Sequence, residues 1–117
     1  MSINVLIVEE DEGVRETISI LLNNFGCNSF LLSSPKKAMK LLSAHRPSVI
    51  ISGNKFNYDI TGLEFGAEVK KMGIPFILMS GIPETVGKAK EKGFFAIEKP
   101  FQVEAIVSTV NLAIGAA

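Results

Sequence analysis

The chain has 117 residues, 47% of them hydrophobic and 21% charged, and its twelve Lys and Arg balance twelve Asp and Glu to a formal net charge of zero. That length suits one compact domain, taken as residues 1–117, and the composition excludes a disordered or fibrous chain. Charge balance removes any global attraction to nucleic acid or to an anionic membrane, no stretch approaches the ~20 apolar residues of a membrane span, and the lone Cys27 has no intrachain disulfide partner.

Short apolar runs rich in Ile and Val alternate with longer segments of helical period, the pattern of successive βαβ units around a parallel sheet. The expected strands are Ile3 to Val8, Asn28 to Leu32, Ser48 to Ser52, Pro75 to Met79 and Phe94 to Ile97. Several are apolar without alternation, as strands covered on both faces are. Between the first two strands, Val14, Ile18, Leu21, Leu22 and Phe25 recur at helical spacing, with Asp11 as N-cap and Gly26 as terminator. The second helix opens at Ser34-Pro35 and stops before Pro47. The third opens with Thr61 and Glu64 at capping-box spacing and closes at Gly73. A shorter helix from about Pro83 to Lys92 and a final one from Phe101 to Ile114 complete five pairs. Right-handed crossovers close these into a five-stranded doubly wound α/β sheet, whose ligands sit at the carboxyl ends of the strands.

At those ends the sequence gathers polar residues. Glu9, Glu10, Asp11 and Glu12 follow the first strand at the mouth of a helix, where the backbone dipole favours negative charge. Helix capping accounts for Asp11 and Glu12. Glu9 and Glu10 lie at the strand end, where paired carboxylates also suit a hard cation such as Mg2+, and both readings stay open for this pair. Ser80 ends the fourth strand and Lys99 follows the fifth, so a hydroxyl and an ammonium face the same crevice. His45, beside Arg46-Pro47 at a helix end, reads as a polar terminator and not as a phosphorelay histidine.

Val5-Leu6-Ile7-Val8 followed by acids, Met79-Ser80-Gly81, and Glu98-Lys99-Pro100-Phe101 together resemble the signature blocks of response-regulator receiver domains, over the whole chain. The resemblance implies a flavodoxin-like fold and a pocket in which Glu9, Glu10, Ser80 and Lys99 match the family's positions; the apolar run Val5-Leu6-Ile7-Val8, too short for a signal-peptide core, and the lack of a membrane span lead to the expectation of a cytoplasmic location. In such domains two acids and an aspartate after the third strand bind Mg2+, and the aspartate accepts phosphate from a histidine kinase. Here the acceptor position falls on Gly53 counting forward from Pro47, or on Asn54 counting back from Gly62-Leu63, because the loop is one residue longer. Neither has a carboxylate, so neither is a nucleophile for an acyl phosphate. Asp59, several residues past the strand end, reads as a solvated loop residue. Ala96 stands where the family carries a switching aromatic.

These departures favour a pseudo-receiver: a non-enzymatic signalling module, independent of phosphorylation, that acts through a protein partner and needs no cofactor, with Mg2+ bound weakly if at all. The alternative is a phosphorelay receiver that still docks a histidine kinase or uses an atypical acceptor. A flavin- or nucleotide-binding protein is disfavoured because Glu9 to Glu12 would repel a phosphate. No nucleic-acid or membrane partner is expected. For the partner surface, Lys88 and Lys92, at i and i+4 on the fourth helix, form a candidate basic patch on the face made by the fourth helix, fifth strand and fifth helix.

Overall fold

A computed structural model describes residues 2–115. Five strands, β1 (Asn4–Val8), β2 (Asn28–Leu32), β3 (Val49–Ser52), β4 (Phe76–Ser80) and β5 (Phe95–Glu98), form one parallel sheet in the order β2-β1-β3-β4-β5. They alternate with five helices, α1 (Glu12–Asn24), α2 (Pro35–Leu42), α3 (Gly62–Lys71), α4 (Pro83–Glu91) and α5 (Val103–Gly115). This is the doubly wound flavodoxin-like arrangement expected from the alternating pattern.

Strand alternation sorts the core into two layers. Val5, Ile7, Val49, Ile51, Ile77 and Ile97 pack with Ile18 and Leu22 of α1 and with Ile106, Val110 and Ala113 of α5. Leu6, Val8, Ile50 and Leu78 pack on the other side with Ala38 of α2, Phe65 and Val69 of α3, and Ala89 of α4. The central strands β1, β3 and β4 are almost wholly buried, which is why their sequences run apolar without alternating. β2 is an edge strand, and Phe30 and Leu31 remain exposed on it.

The helix ends follow the local chemistry of the sequence. The Asp11 carboxylate accepts from Val14 N, Ser34 Oγ from Lys37 N, and Thr61 and Glu64 satisfy each other's backbone donors in a capping box. α1, α3 and α4 are each followed by a glycine at positive φ (Gly26, Gly73, Gly93), and the next residue donates back into the helix. At α4 this is Phe94 N to Ala89 O at 2.9 Å. Phe94 is thereby spent on the helix cap, so β5 starts one residue later than its apolar run suggests. α5 likewise begins at Val103, because Phe101 packs against the α1 layer before the helix starts.

One close approach fixes the loop between β3 and α3. A Cβ on Gly62 would fall 2.0 Å from the carbonyl oxygen of Gly53 and 2.8 Å from Asn54 Cα, both backbone atoms with nowhere to move. Gly62→Ala should therefore cost about 1–3 kcal/mol, the usual range for overpacking, despite alanine's better helix propensity. Urea unfolding should register this as a lowered midpoint.

Candidate functional site

Neighbouring strands in register carry residues of like parity to one side of the sheet. Val8 pairs with Ser52, and the ladder runs one bond further, Gly53 N donating to Val8 O at 2.9 Å. Glu9 and Gly53 thus stand side by side just past β1 and β3. Across the sheet Ser80 pairs with Glu98, and Lys99 N donates to Ser80 O at 2.9 Å. Glu9, Gly53 and Lys99 share the parity of Ile7, Ile51 and Ile97, the layer of α1 and α5, whereas Ser80 has the parity of Leu78 and the opposite layer.

The geometry follows that parity. Glu9 is only 7% exposed. Its Oε1 lies 3.5 Å from Lys99 Nζ, and its Oε2 accepts from Asp11 N at 3.0 Å. A Cβ built on Gly53 would come within 2.7 Å of Glu9 Oε1, so the carboxylate occupies the space that a side chain at position 53 would enter. Taking a carboxylate out of water costs several kcal/mol, which the ammonium and the backbone N–H offset. Ser80 Oγ is engaged locally, accepting from Ile82 N at 3.1 Å ahead of α4.

Asn54 faces a different task. Its carbonyl accepts from Gly62 N at 2.8 Å and its side-chain Oδ1 from Leu63 N at 3.0 Å, so it satisfies the first two donors of α3. Of the two positions left open by counting, Gly53 borders Glu9, and Asn54 serves the helix. Glu10 is exposed, and its Oε1 accepts from Asn57 N at 3.0 Å, tying the long loop to the β1–α1 turn. Ala96, beside Leu78 in the sheet, borders a shallow groove with Glu98, Phe101, Gln102 and Ala105.

One residue at this end escaped the sequence reading, and another has partners that reading did not name. Arg15 reaches back from the first turns of α1 and donates to the carbonyls of Glu9 at 2.8 Å and Glu10 at 3.3 Å. Helical side chains lean toward the N-terminus, so an Arg one turn in was the available signal. Asp59 is no idle loop residue: its Oδ2 accepts from Lys36 N at 2.9 Å, at the start of α2, and its Oδ1 from Ile60 N at 2.7 Å.

Lys88 and Lys92 find a neighbour that spacing alone did not name. They share one flank of α4, and that flank lines a groove against α3, with Thr61, Leu63, Glu64 and Ala67. Helical spacing fixes which residues lie together and not which neighbour they face. Glu64 and Glu91 also line this groove, so its charge is mixed and not purely basic.

The Mg2+ implied by the family resemblance does not fit this donor set. Glu9 is committed to Lys99 and Asp11 N, Glu10 to Asn57 N, and Gly53 offers no side-chain ligand, whereas Mg2+ demands near-octahedral oxygen donors. Among the described residues no group of three or more His, Cys, Asp and Glu is placed to hold a metal ion, and no helix is long and apolar enough to cross a membrane.

The family model for the response regulator receiver domain matches residues 5–111. A response regulator described as NtrX-like, from Rickettsia bellii, is 31% identical over 90% of this chain, and the chain spans 23% of that relative's length. Among solved structures, the chemotaxis response regulator CheY4 of Vibrio cholerae matches with a TM-score of 0.84 at 23% identity, covering 97% of this chain and 99% of its own. A response regulator from Chloroflexus aurantiacus matches with a TM-score of 0.91 at 20% identity, covering 98% and 99%.

Asn54→Ala should remove the side-chain acceptor for Leu63 N and cost about 1 kcal/mol, as loss of an N-terminal cap does. Chemical denaturation should show this loss, while the backbone amide resonances of Ser80 and Lys99 stay in place.

Proposed function

The chain belongs to the response regulator receiver domain family, and we propose that within it this domain is a pseudo-receiver, signalling through a protein partner without being phosphorylated. The observation that carries this reading is Gly53, which stands beside Glu9 at the end of β3 with no side chain. An acyl phosphate forms only on a carboxylate nucleophile. Asn54, the neighbouring alternative, bears an amide already bonded to the start of α3. Asp59, the remaining acid of this loop, is held at the start of α2.

The partner is a protein, a histidine kinase or an output protein, and the domain is read as a signalling module and not as an enzyme. Mg2+ binding is weak on this reading, since the first-strand acids are engaged by other groups. Lys88 and Lys92, on the α3-facing flank of α4, are proposed contacts for an acidic partner.

Treatment with acetyl phosphate should give no mass gain, and beryllofluoride with Mg2+ should leave the amide resonances around Ser80 and Lys99 unmoved. A phosphoryl group mapped to Asp59 or any other aspartate would return the domain to the phosphorelay. Calorimetry should find no saturable Mg2+ site at micromolar metal.

With a partner in hand, charge reversal at Lys88 and Lys92 should slow association and flatten its salt dependence, whereas reversal at Lys36 and Lys37 on α2 should do little. The opposite pattern in surface-binding kinetics would move the interface elsewhere.

A further inference from the structure

β1 and β5 are not neighbours: β3 and β4 lie between them, so their backbones are separated by three strand spacings, about 14 Å. Yet the side chains of Glu9, after β1, and Lys99, after β5, meet at 3.5 Å. Their path crosses the end of β3, where Gly53 stands and where an added Cβ would lie 2.7 Å from Glu9 Oε1 and 3.3 Å from its Cδ. A short acid at position 9 would reach less far, and a Cβ at position 53 would make the Glu9 carboxylate shift from its present place. The long acid and the bare glycine are therefore a matched pair.

Other groups nearby are spoken for. Ser80 Oγ turns to Ile82 N, Glu10 to Asn57 N, and Arg15 to main-chain carbonyls. Among the described residues, Glu9 is the carboxylate within ion-pair distance of Lys99.

We propose that Glu9 is a resident counter-charge, its carboxylate taking the place of a side chain at position 53 and holding Lys99 and the β5–α5 loop in one state without a phosphoryl group. This rests on the reading that the pocket accepts no phosphate. Glu9 is a positioning residue here: it acts through Lys99. The pairing assigns Lys99 a partner that is always present.

A double-mutant cycle between positions 9 and 53 tests it. Gly53 does not have a positive φ, so alanine suits its backbone and by itself stabilises by restricting the unfolded chain. In the wild-type background Gly53→Ala must displace Glu9 and should lower the urea midpoint. In the Glu9→Ala background the same change should raise it. Formate, a free carboxylate, should raise the thermal midpoint of Glu9→Ala but not of the wild type, with chloride at equal ionic strength as control.

Equal midpoint shifts for Gly53→Ala in both backgrounds would overturn the proposal. Should Glu9→Ala fail to fold, NMR of the Lys99 side-chain amine decides. Its resonance should move in both Gly53→Ala and Glu9→Gln, and an unchanged resonance in the two variants refutes the pairing. The phosphodonor experiment answers separately: a phosphorylated wild type sinks the pseudo-receiver reading whatever the cycle gives, and equal shifts sink this inference with the phosphodonor result intact.

Discussion

Strand parity and register bring Glu9, Gly53 and Lys99 to one side of the carboxyl edge of the sheet, and what this edge can do depends on that placement. The Val8–Ser52 pair and the extra bond from Gly53 N to Val8 O set the first two residues abreast. The Ser80–Glu98 pair sets the third. A slip of one residue in β3 would turn Gly53 to the opposite layer and bring Ser52 or Asn54 toward Glu9. The buried faces forbid that slip, because it would exchange Val49 and Ile51 with Ile50 between two cores that are each fully packed. The hydrophobic interior therefore decides which residue faces the pocket.

The run of acids after β1 illustrates how one composition can answer two readings. Glu9 accepts from Asp11 N, Glu10 from Asn57 N, and Asp11 from Val14 N, so three successive carboxylates each close one backbone donor of the surrounding loops. Carboxylates so engaged are stabilised by hydrogen bonds that a metal would have to displace, and desolvating Mg2+ for an incomplete ligand set is unfavourable. Arg15 adds to the same construction from below, gripping the carbonyls of Glu9 and Glu10. The loop after β3 is secured from its far end by Asp59 at the start of α2.

Nearly all of the fold was legible in the sequence, because it rests on local signals: apolar strand runs, the Thr61–Glu64 box, the proline after Ser34, and the glycines that end α1, α3 and α4. The site was legible at the level of which residues gather, and for a reason specific to parallel sheets: every strand end arrives at the same edge. What the sequence could not supply was direction. Counting left Gly53 and Asn54 equivalent, whereas register sets Gly53 beside Glu9 and Asn54 at the start of α3. Spacing placed Lys88 and Lys92 together, but not that they line a groove with residues of α3. The bond from Asp59 to Lys36 N was not legible because the two are distant in sequence, and side-chain-to-backbone bonds of that range leave no periodic trace.

A receiver whose charges are mutually satisfied poses a definite problem of signalling. A ligand shifts a conformational equilibrium only by the difference between its affinities for the two states. Phosphorylation supplies such a difference by adding charge beside the lysine, but here the Glu9 carboxylate already stands beside Lys99 before any signal arrives. On the proposed reading, the signal must then enter through surfaces that a partner can grip differently in two states. The groove beside Ala96 is one such surface, since a small residue at that point of β5 leaves space where a larger side chain would fill it. Its rim carries Glu98 and Glu104, whereas the α3–α4 groove mixes lysines with acids. The two grooves therefore differ in the charge they offer, and a partner complementary to one is poorly matched to the other.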